Sequence, residues 1–308
     1  MKYDITALGE ILIDFTPMGT DDAGDIMFAR KAGGAPLNLL ATVSKYGGKA
    51  AFIGKVGNDM FGTFLKQVLC DNNINADGLV TDTEHNTTLA FVALDSNGDR
   101  DFSFYRNFGA DVFISPEEVN IETVENSMIF HFGSLSLTSE RAKSATELAI
   151  NTAKRSGAVI TYDPNYRAPL WKDKETAVYT MSEYIKYADI VKLSKEESEM
   201  ITGFRTSEEA IRSLHKLGVR VVLITDGANG VTYGADSIIG FADSLKVDAV
   251  DTTGAGDIFF GTFLSEYIKS DKAPSMPSFD EIGAYVRIAV EKSGFSTLKK
   301  GAIASIPE

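Results

Sequence analysis

One cysteine, Cys70, occurs in the 308 residues, so no intramolecular disulfide can brace this chain. It follows the run Phe61 to Leu69, whose apolar spacing is helical, and a buried thiol is expected there. The three histidines, His85, His131 and His215, stand far apart with no cysteine beside them. That argues against zinc and leaves them as ordinary hydrogen-bonded side chains. Positive charge is also scarce: 30 Lys and Arg face 43 Asp and Glu, a formal charge of -13, a field that repels nucleic acid and anionic membranes. No apolar run has the length a bilayer requires. The amino terminus enters a strand pattern, Ile5 to Ile13, without a basic flank or small-residue cleavage site, so a cytoplasmic protein acting on small molecules is expected. Two nucleotide-binding loops are missing as well. No G-x-x-x-x-G-K-[ST] occurs, and a G-x-G-x-x-G beginning at Gly254 would need glycine where Phe259 stands.

What is present is a glycine-containing loop of another kind. Residues 251 to 257 read Asp-Thr-Thr-Gly-Ala-Gly-Asp. They lie between an apolar run, Lys246 to Val250, expected as a strand, and a helix expected over Ile258 to Ile268. In that helix Phe260, Phe263, Leu264, Tyr267 and Ile268 share one face. First-turn amides of a helix have no intrahelical partner and lie at the positive end of its dipole. Gly254, Ala255 and Gly256 are small enough for an anion to reach those amides. Asp257 adds a carboxylate where a general base for a hydroxyl would stand. Together they suit phosphoryl transfer to an alcohol; the alternative is a glycine-rich turn whose aspartate only complements the dipole.

Short β-branched runs alternate with amphipathic helical stretches along most of the chain: Ala51 to Val56 then Phe61 to Cys70, Met128 to Phe132 then Arg141 to Lys154, Val159 to Asp163 then a helix near Thr176 to Tyr187. Ile190 to Leu193, Lys195 to Ile201 and Val219 to Thr225 continue it. This rhythm predicts a mostly parallel sheet covered by helices on both faces, with ligands at the carboxyl ends of the strands. Thr87 to Leu94 and Asp101 to Arg106 break the rhythm as a hairpin around Asn97-Gly98, with Phe104 and Arg106 on one face and Ser103 and Tyr105 on the other. The hairpin is expected to pair with a strand near Ile26 to Lys31 and to close over the main domain as a lid, or else to be a plain sheet extension or dimer-forming flap.

Other segments carry polar groups at strand ends. Gly33, Gly34 and Asn38 precede or open a helix with Pro36 in its first turn; they suit hydroxyl binding or a structural turn. Asp14 ends the first apolar strand and is either a polyol acceptor or a solvated strand end. Asp163-Pro164-Asn165-Tyr166-Arg167 offers a guanidinium for phosphate, or a capping turn. Thr225-Asp226-Gly227 suits a nucleotide phosphate or an ordinary turn.

These segments together resemble the ribokinase-like, or PfkB, carbohydrate kinase family over essentially the whole chain. Ala32 to Gly62 looks like its first signature and Asp251 to Asp257 like its second. Phe104 to Asn107 with Ala110-Asp111, Asp163 to Trp171, and Val191 to Ser194 look most like fructokinases. The resemblance implies an α/β three-layer sandwich with a mostly parallel central sheet and a small β lid. It would be a single domain over 1–308 with lid segments at about 13–33 and 87–108. It implies an ATP- and Mg²⁺-dependent sugar kinase, most like one converting D-fructose to fructose 6-phosphate. Asp257 would be the base and Gly254, Ala255 and Gly256 the anion hole. Asp14, Gly33, Gly34, Asn38, Arg106 and Asn165 would hold the sugar. Lys192, Ser194, Thr225, Gly227 and Arg167 would meet the nucleotide. Glu197 would stand near Mg²⁺, with Ser194 where the family usually has asparagine, and Val290 replaces a frequent asparagine near the adenine. Asp251, Thr253, Ser296, Lys299, Gly301 and Ser305 match positions that wrap a monovalent cation, potassium, in cation-dependent members. The implied partners are sugar and ATP, with no nucleic acid and no membrane, in a monomer or homodimer. The rival acceptors are 2-keto-3-deoxygluconate, whose carboxylate would meet Arg106 or Arg167, and ribose. The rival outside enzymes is a sugar or nucleotide sensor, which has no need of Asp257.

Overall fold

The computed structural model describes residues 1–94 and 100–308, with side-chain surroundings described outside 93–102. The chain opens with β1 (Tyr3–Leu8) and β2 (Leu12–Thr20), which belong to two different sheets. The expected single strand from Ile5 to Ile13 is therefore broken at residues 9–11, because an apolar run cannot show where a strand changes sheets. β3 (Ile26–Gly33) returns antiparallel to β2 and leads into α1 (Ala35–Lys45), β4 (Ala50–Gly57), α2 (Met60–Asp71) and β5 (Asn75–Asp82). β6 (Leu89–Leu94) and β7 (Arg100–Tyr105) form the hairpin; its Asn97-Gly98 turn lies outside the described residues. The alternation then runs through α3 (Ile121–Glu125), β8 (Ser127–Gly133), α4 (Glu140–Ser156), β9 (Val159–Asp163) and α5 (Lys174–Ile185). It continues with β10 (Ile190–Ser194), α6 (Lys195–Thr202), α7 (Ser207–Lys216) and β11 (Val221–Thr225). β12 (Val231–Ala235), β13 (Ile238–Ala242), α8 (Ala255–Lys269) and α9 (Phe279–Ser296) complete it. Lys246 to Val250 is irregular backbone, not the expected strand.

Nine strands form the central sheet in the order β13-β12-β11-β10-β9-β8-β1-β4-β5, parallel except for the antiparallel edge β12 and β13. Residue alternation sends side chains to opposite faces. In β11, Val221 and Leu223 join the core under α1, α2, α8 and α9, while Val222 and Ile224 join the one under α4, α5 and α7. The three-layer arrangement follows. In α8 the predicted stripe holds: Phe260, Phe263, Leu264 and Tyr267 are fully buried. Truncating a buried phenylalanine such as Phe263 to alanine costs about 3–5 kcal/mol. Cys70, by contrast, is exposed, since it falls on the outer side of α2 while Leu65 and Leu69 face the core.

The second sheet, ordered β3-β2-β6-β7, is the lid. The hairpin pairs with β2, parallel through Ile13–Leu89, Asp14–Ala90 and Phe15–Phe91, not with β3 as expected. Aromatic packing lines this pairing. Phe91 stacks on Phe15 at 4.8 Å between ring centroids, and Phe15 meets Phe61 of α2 edge-on at 5.8 Å. Asp59 anchors the hairpin's root, accepting from the Thr87 amide at 2.8 Å while capping α2 through Phe61 and Gly62. The chain builds β1, β4 and β5 to one side, then returns to β8 on the other side of β1. Strand order thus reverses at β1, and a crevice opens at the carboxyl ends there. Among the described residues, no helix is long and apolar enough to cross a membrane.

Candidate active site

Asp257 lies in the first turn of α8, 7% exposed, at this crevice. Two amides hold its carboxylate: Asn38 Nδ2 donates to Oδ2 at 2.8 Å and Asn165 Nδ2 to Oδ1 at 2.9 Å. Asn38 reaches it from α1, and Asn165 from the turn after β9, where its φ of 50° is left-handed. Burial, reinforced by nearby Asp163, pushes the Asp257 carboxyl up to about 6; Asn38, Lys192 and Arg167 restrain the rise. A carboxylate so placed is ionised at neutral pH and still basic enough to take a proton.

Gly254 caps α8 at φ 76°, and a Cβ there would stand 2.5 Å from Ala302 Cβ, so glycine is required twice over. The loop before it is braced from outside. Asp251 Oδ1 accepts from the Thr253 amide at 2.8 Å and Oδ2 from the Gly301 amide at 2.9 Å. Ser293 Oγ donates to Ala255 O at 2.9 Å. Ser296 and Ser305 are buried on the same carboxyl-terminal segment, while Lys299 is exposed and its amide donates to Ser296 O. Asp251 thus ties the loop to the carboxyl-terminal segment that carries Ser296, Lys299, Gly301 and Ser305.

Three cavities adjoin the loop and first turn of α8, and Asp257 lines two of them. The first, about 80 Å³, lies under the lid between Glu10, Leu12, Asp14, Gly34, Ala35, Asn38, Phe104 and Asp257. Gly33 is pressed against Asp14: a Cβ there would fall 2.1 Å from Oδ2. Burial lifts Asp14 to about 6, with Arg167 and Lys31 opposing. Asp14 lies inside β2, not at the end of β1. The second cavity, about 260 Å³, is polar and is lined by Arg167, Lys192, Ser194, Glu196, Glu197, Gly254 and Gly256. The third, also about 260 Å³, is largely apolar and runs from Thr225 and Gly227 past Leu245 and Phe259 to Val290.

Lys192 is buried in the second cavity, 2.9 Å from Asp163 Oδ2. Burial pulls its ammonium down, but Asp163, Glu197 and Asp257 outweigh this and hold it above the ordinary lysine value. Its Nζ stands 2.9 Å from where a Cβ on Gly256 would be, so it sits against the loop. Glu197 braces the site: Oε2 accepts from the Ser194 amide and Oε1 from the Tyr166 amide, both at 2.7 Å, while Ser194 Oγ accepts in return from the Glu197 amide. The expected Ser194–Glu197 pair is therefore a capping box that also fixes the Asn165 turn. Mg²⁺ that arrives on phosphates, retaining waters, needs one or two protein carboxylates, and Glu196 with Glu197 fits that demand. Among the described residues no three His, Cys, Asp or Glu cluster as a metal cage.

Arg106 does not line the cavity under the lid. Its guanidinium is buried and committed to Asp111 Oδ2 (2.7 Å), Thr138 Oγ1 (2.9 Å) and Leu135 O (2.8 Å). Face alternation placed it beside Phe104 but could not show that β7 ends one residue earlier, at a joint with the main domain. The three histidines are ordinary, bonded to Asp82, Thr161 and the Val219 carbonyl. Two groups escaped the sequence reading, Glu10 and the Asp163 partner of Lys192. A lone carboxylate between Leu8 and Ile11 was the available sign of the first.

The sequence profile of the pfkB family carbohydrate kinases matches residues 2–308. Fructokinase-1 of Zea mays is 39% identical over 306 residues, covering 98% of this chain and 94% of its own. A fructokinase from Xylella fastidiosa with bound ATP superposes with a TM-score of 0.92 at 30% identity, covering 100% of this chain and 96% of its own. One from Vibrio cholerae O395, solved with fructose, ADP and calcium ion, gives 0.88 at 28% identity and covers 100% and 97%. A double mutant of the latter was solved with fructose, ADP and potassium ion.

Proposed function

Because the chain belongs to the pfkB family of carbohydrate kinases, we propose that it transfers the γ-phosphoryl group of ATP to D-fructose, giving fructose 6-phosphate. The observation that carries this reading is the position of Asp257. It borders both the small cavity under the lid and the polar cavity beside Gly254 and Gly256. A primary hydroxyl in the first cavity would give its proton to Asp257 as it attacks the γ-phosphorus held in the second, while the bond to the β–γ bridging oxygen breaks and ADP leaves. The Gly254 and Gly256 amides, the α8 dipole and Lys192 face the charge that develops on the transferring group. Arg167 lines both cavities and can hold a phosphate oxygen. The adenosine part fits the apolar cavity ending at Val290. Mg²⁺, when bound with ATP, would neutralise phosphate charge next to Glu196 and Glu197. Potassium would be held by the loop that Asp251 braces, in line with the ion in the V. cholerae double mutant.

The choice of acceptor rests on the lining of the first cavity. Glu10, Asp14 and Asp257 put three carboxyl groups around it against one guanidinium, that of Arg167. Such a cavity welcomes hydroxyl donors and repels a second anion, which favours fructose over 2-keto-3-deoxygluconate. The V. cholerae enzyme with fructose bound supports the same choice. The test is a sugar panel with ATP and Mg²⁺, following the phosphorylated product directly. Fructose should show the highest kcat/KM; a higher value for 2-keto-3-deoxygluconate or ribose would overturn the acceptor, and ATP-dependent signalling without turnover would overturn the enzyme.

A further inference from the structure

Glu10 stands in the bend between β1 and β2 and is 3% exposed. Its Oε1 accepts from the Ala35 amide at 3.0 Å. Ala35 opens α1, whose N-cap, Gly34, offers no side chain, so the first turn obtains its capping carboxylate from another segment. Gly34 fits because its Cα approaches Glu10 closely; a Cβ there would lie 2.5 Å from Glu10 O, and its φ is 113°. One turn later α1 carries Asn38, whose Nδ2 holds Asp257.

Two acceptor oxygens in this arrangement have no protein hydrogen-bond partner although both are buried: Glu10 Oε2 and Asn38 Oδ1. Glu10 and Asn38 line the same cavity as Asp14 and Asp257. Buried polar atoms are seldom left unpaired, because each costs free energy that a partner restores. Asn38 Oδ1 accepts, as does Glu10 Oε2 in its ionised form, so the partner they lack is a donor, and a polyol offers several.

We propose that Glu10 is a specificity-determining residue of the acceptor site, its Oε2 accepting a hydrogen bond from a non-reacting hydroxyl of the sugar while its Oε1 positions α1 and, through Asn38, the base. The proposal rests on the reading that this cavity holds a polyol. Burial pushes the Glu10 carboxyl up to about 7, opposed by its own backbone amide, then by Arg106 and the Ala35 amide, with Asp111 reinforcing. A donated hydroxyl favours the ionised form and offsets part of that burial.

The test compares wild type, Glu10→Gln and Glu10→Ala with fructose, with its 1-, 3- and 4-deoxy analogues, and with varied ATP. Glutamine keeps an oxygen for Ala35 and loses only the second acceptor. Its KM for fructose should rise by about tenfold, the scale of one lost hydrogen bond to a buried site, with kcat within about twofold and the KM for ATP unchanged. One deoxy analogue should be penalised in wild type and no longer penalised in Glu10→Gln. Alanine also releases α1, so its kcat should fall as well. An unchanged fructose KM in Glu10→Gln, or the wild-type pattern of deoxy penalties in that variant, would overturn the proposal and leave Glu10 as a helix cap. Calorimetric binding of the same sugars decides the matter where turnover is too slow. If wild type ignores fructose but phosphorylates another polyol, the acceptor proposed above fails, and deoxy forms of that polyol decide the role of Glu10.

Discussion

Replacing Asp257 by asparagine separates catalysis from stability, because the two should move in opposite directions. Loss of a general base typically lowers rate by about 10² to 10⁴, or about 3–5 kcal/mol in the barrier. Stability should rise at neutral pH. The folded carboxyl titrates at about 6, above the ordinary 3.8, so its protonated form stabilises the fold. That contribution is complete below about 3.8 and is lost as pH rises through about 6. At pH 7.5 the ionised carboxylate therefore costs about 3 kcal/mol, which asparagine does not incur. Weakened interaction with the α8 dipole returns only about 0.3–1 kcal/mol. The local hydrogen bonds can be rebuilt: the introduced amide would face those of Asn38 and Asn165, and Asn38 can turn its unpartnered Oδ1 toward the new NH₂ group. The assay is kcat with fructose alongside urea midpoints at pH 5 and 7.5. The variant should keep ATP and fructose binding, lose most turnover, and gain more stability over wild type at pH 7.5 than at pH 5. Near-normal kcat with a lower midpoint at both pH values would show that Asp257 is a structural cap and refute the mechanism.

Wild-type kcat/KM should rise with pH through an apparent value near 6, since the form that reacts in this scheme is the ionised Asp257. Lys192→Met should move that limb to higher pH by removing the ammonium that favours ionisation; a pH profile unchanged in this variant would detach Lys192 from the base. Arg106→Ala should lower stability by about 3–5 kcal/mol in urea titrations, the usual result of stranding a buried charge such as Asp111. Its preference for fructose over 2-keto-3-deoxygluconate should stay close to wild type; a selective collapse with the acidic acceptor would place the guanidinium in the sugar site after all. Replacing potassium by tetramethylammonium should reduce kcat with little effect on the KM for fructose, because the segment braced by Asp251 borders the phosphoryl loop; equal rates in both salts would remove the cation from the scheme.

Much of this protein was legible in local pattern. The alternation of apolar runs announced the parallel sheet because strands buried on both faces must be apolar throughout, and the stripe of α8 announced its buried face. The loop from Asp251 to Asp257 was legible because a helix amino terminus, two glycines and a carboxylate stand within seven consecutive residues. Groups whose meaning depends on distant partners were not. The sequence places Arg106 on a lid face, but only the joint with Asp111 and Leu135 makes it an internal tie. It holds Asn38, Asn165 and Asp257 far apart along the chain, and only the crossing of α1, β9 and α8 brings two amides to one carboxylate. The strand pattern at Ile5 to Ile13 held no sign of a change of sheet, and hence none that Glu10 caps a helix twenty-five residues away. Periodicity and propensity are set by near neighbours along the chain, so the sequence by itself determined most of the alternating strands and helices and the loop from Asp251 to Asp257. Burial and the pairing of polar groups depend on contacts between remote segments, so the tertiary structure alone decided which carboxylates are raised, which guanidinium is spent, and which oxygens still await a donor.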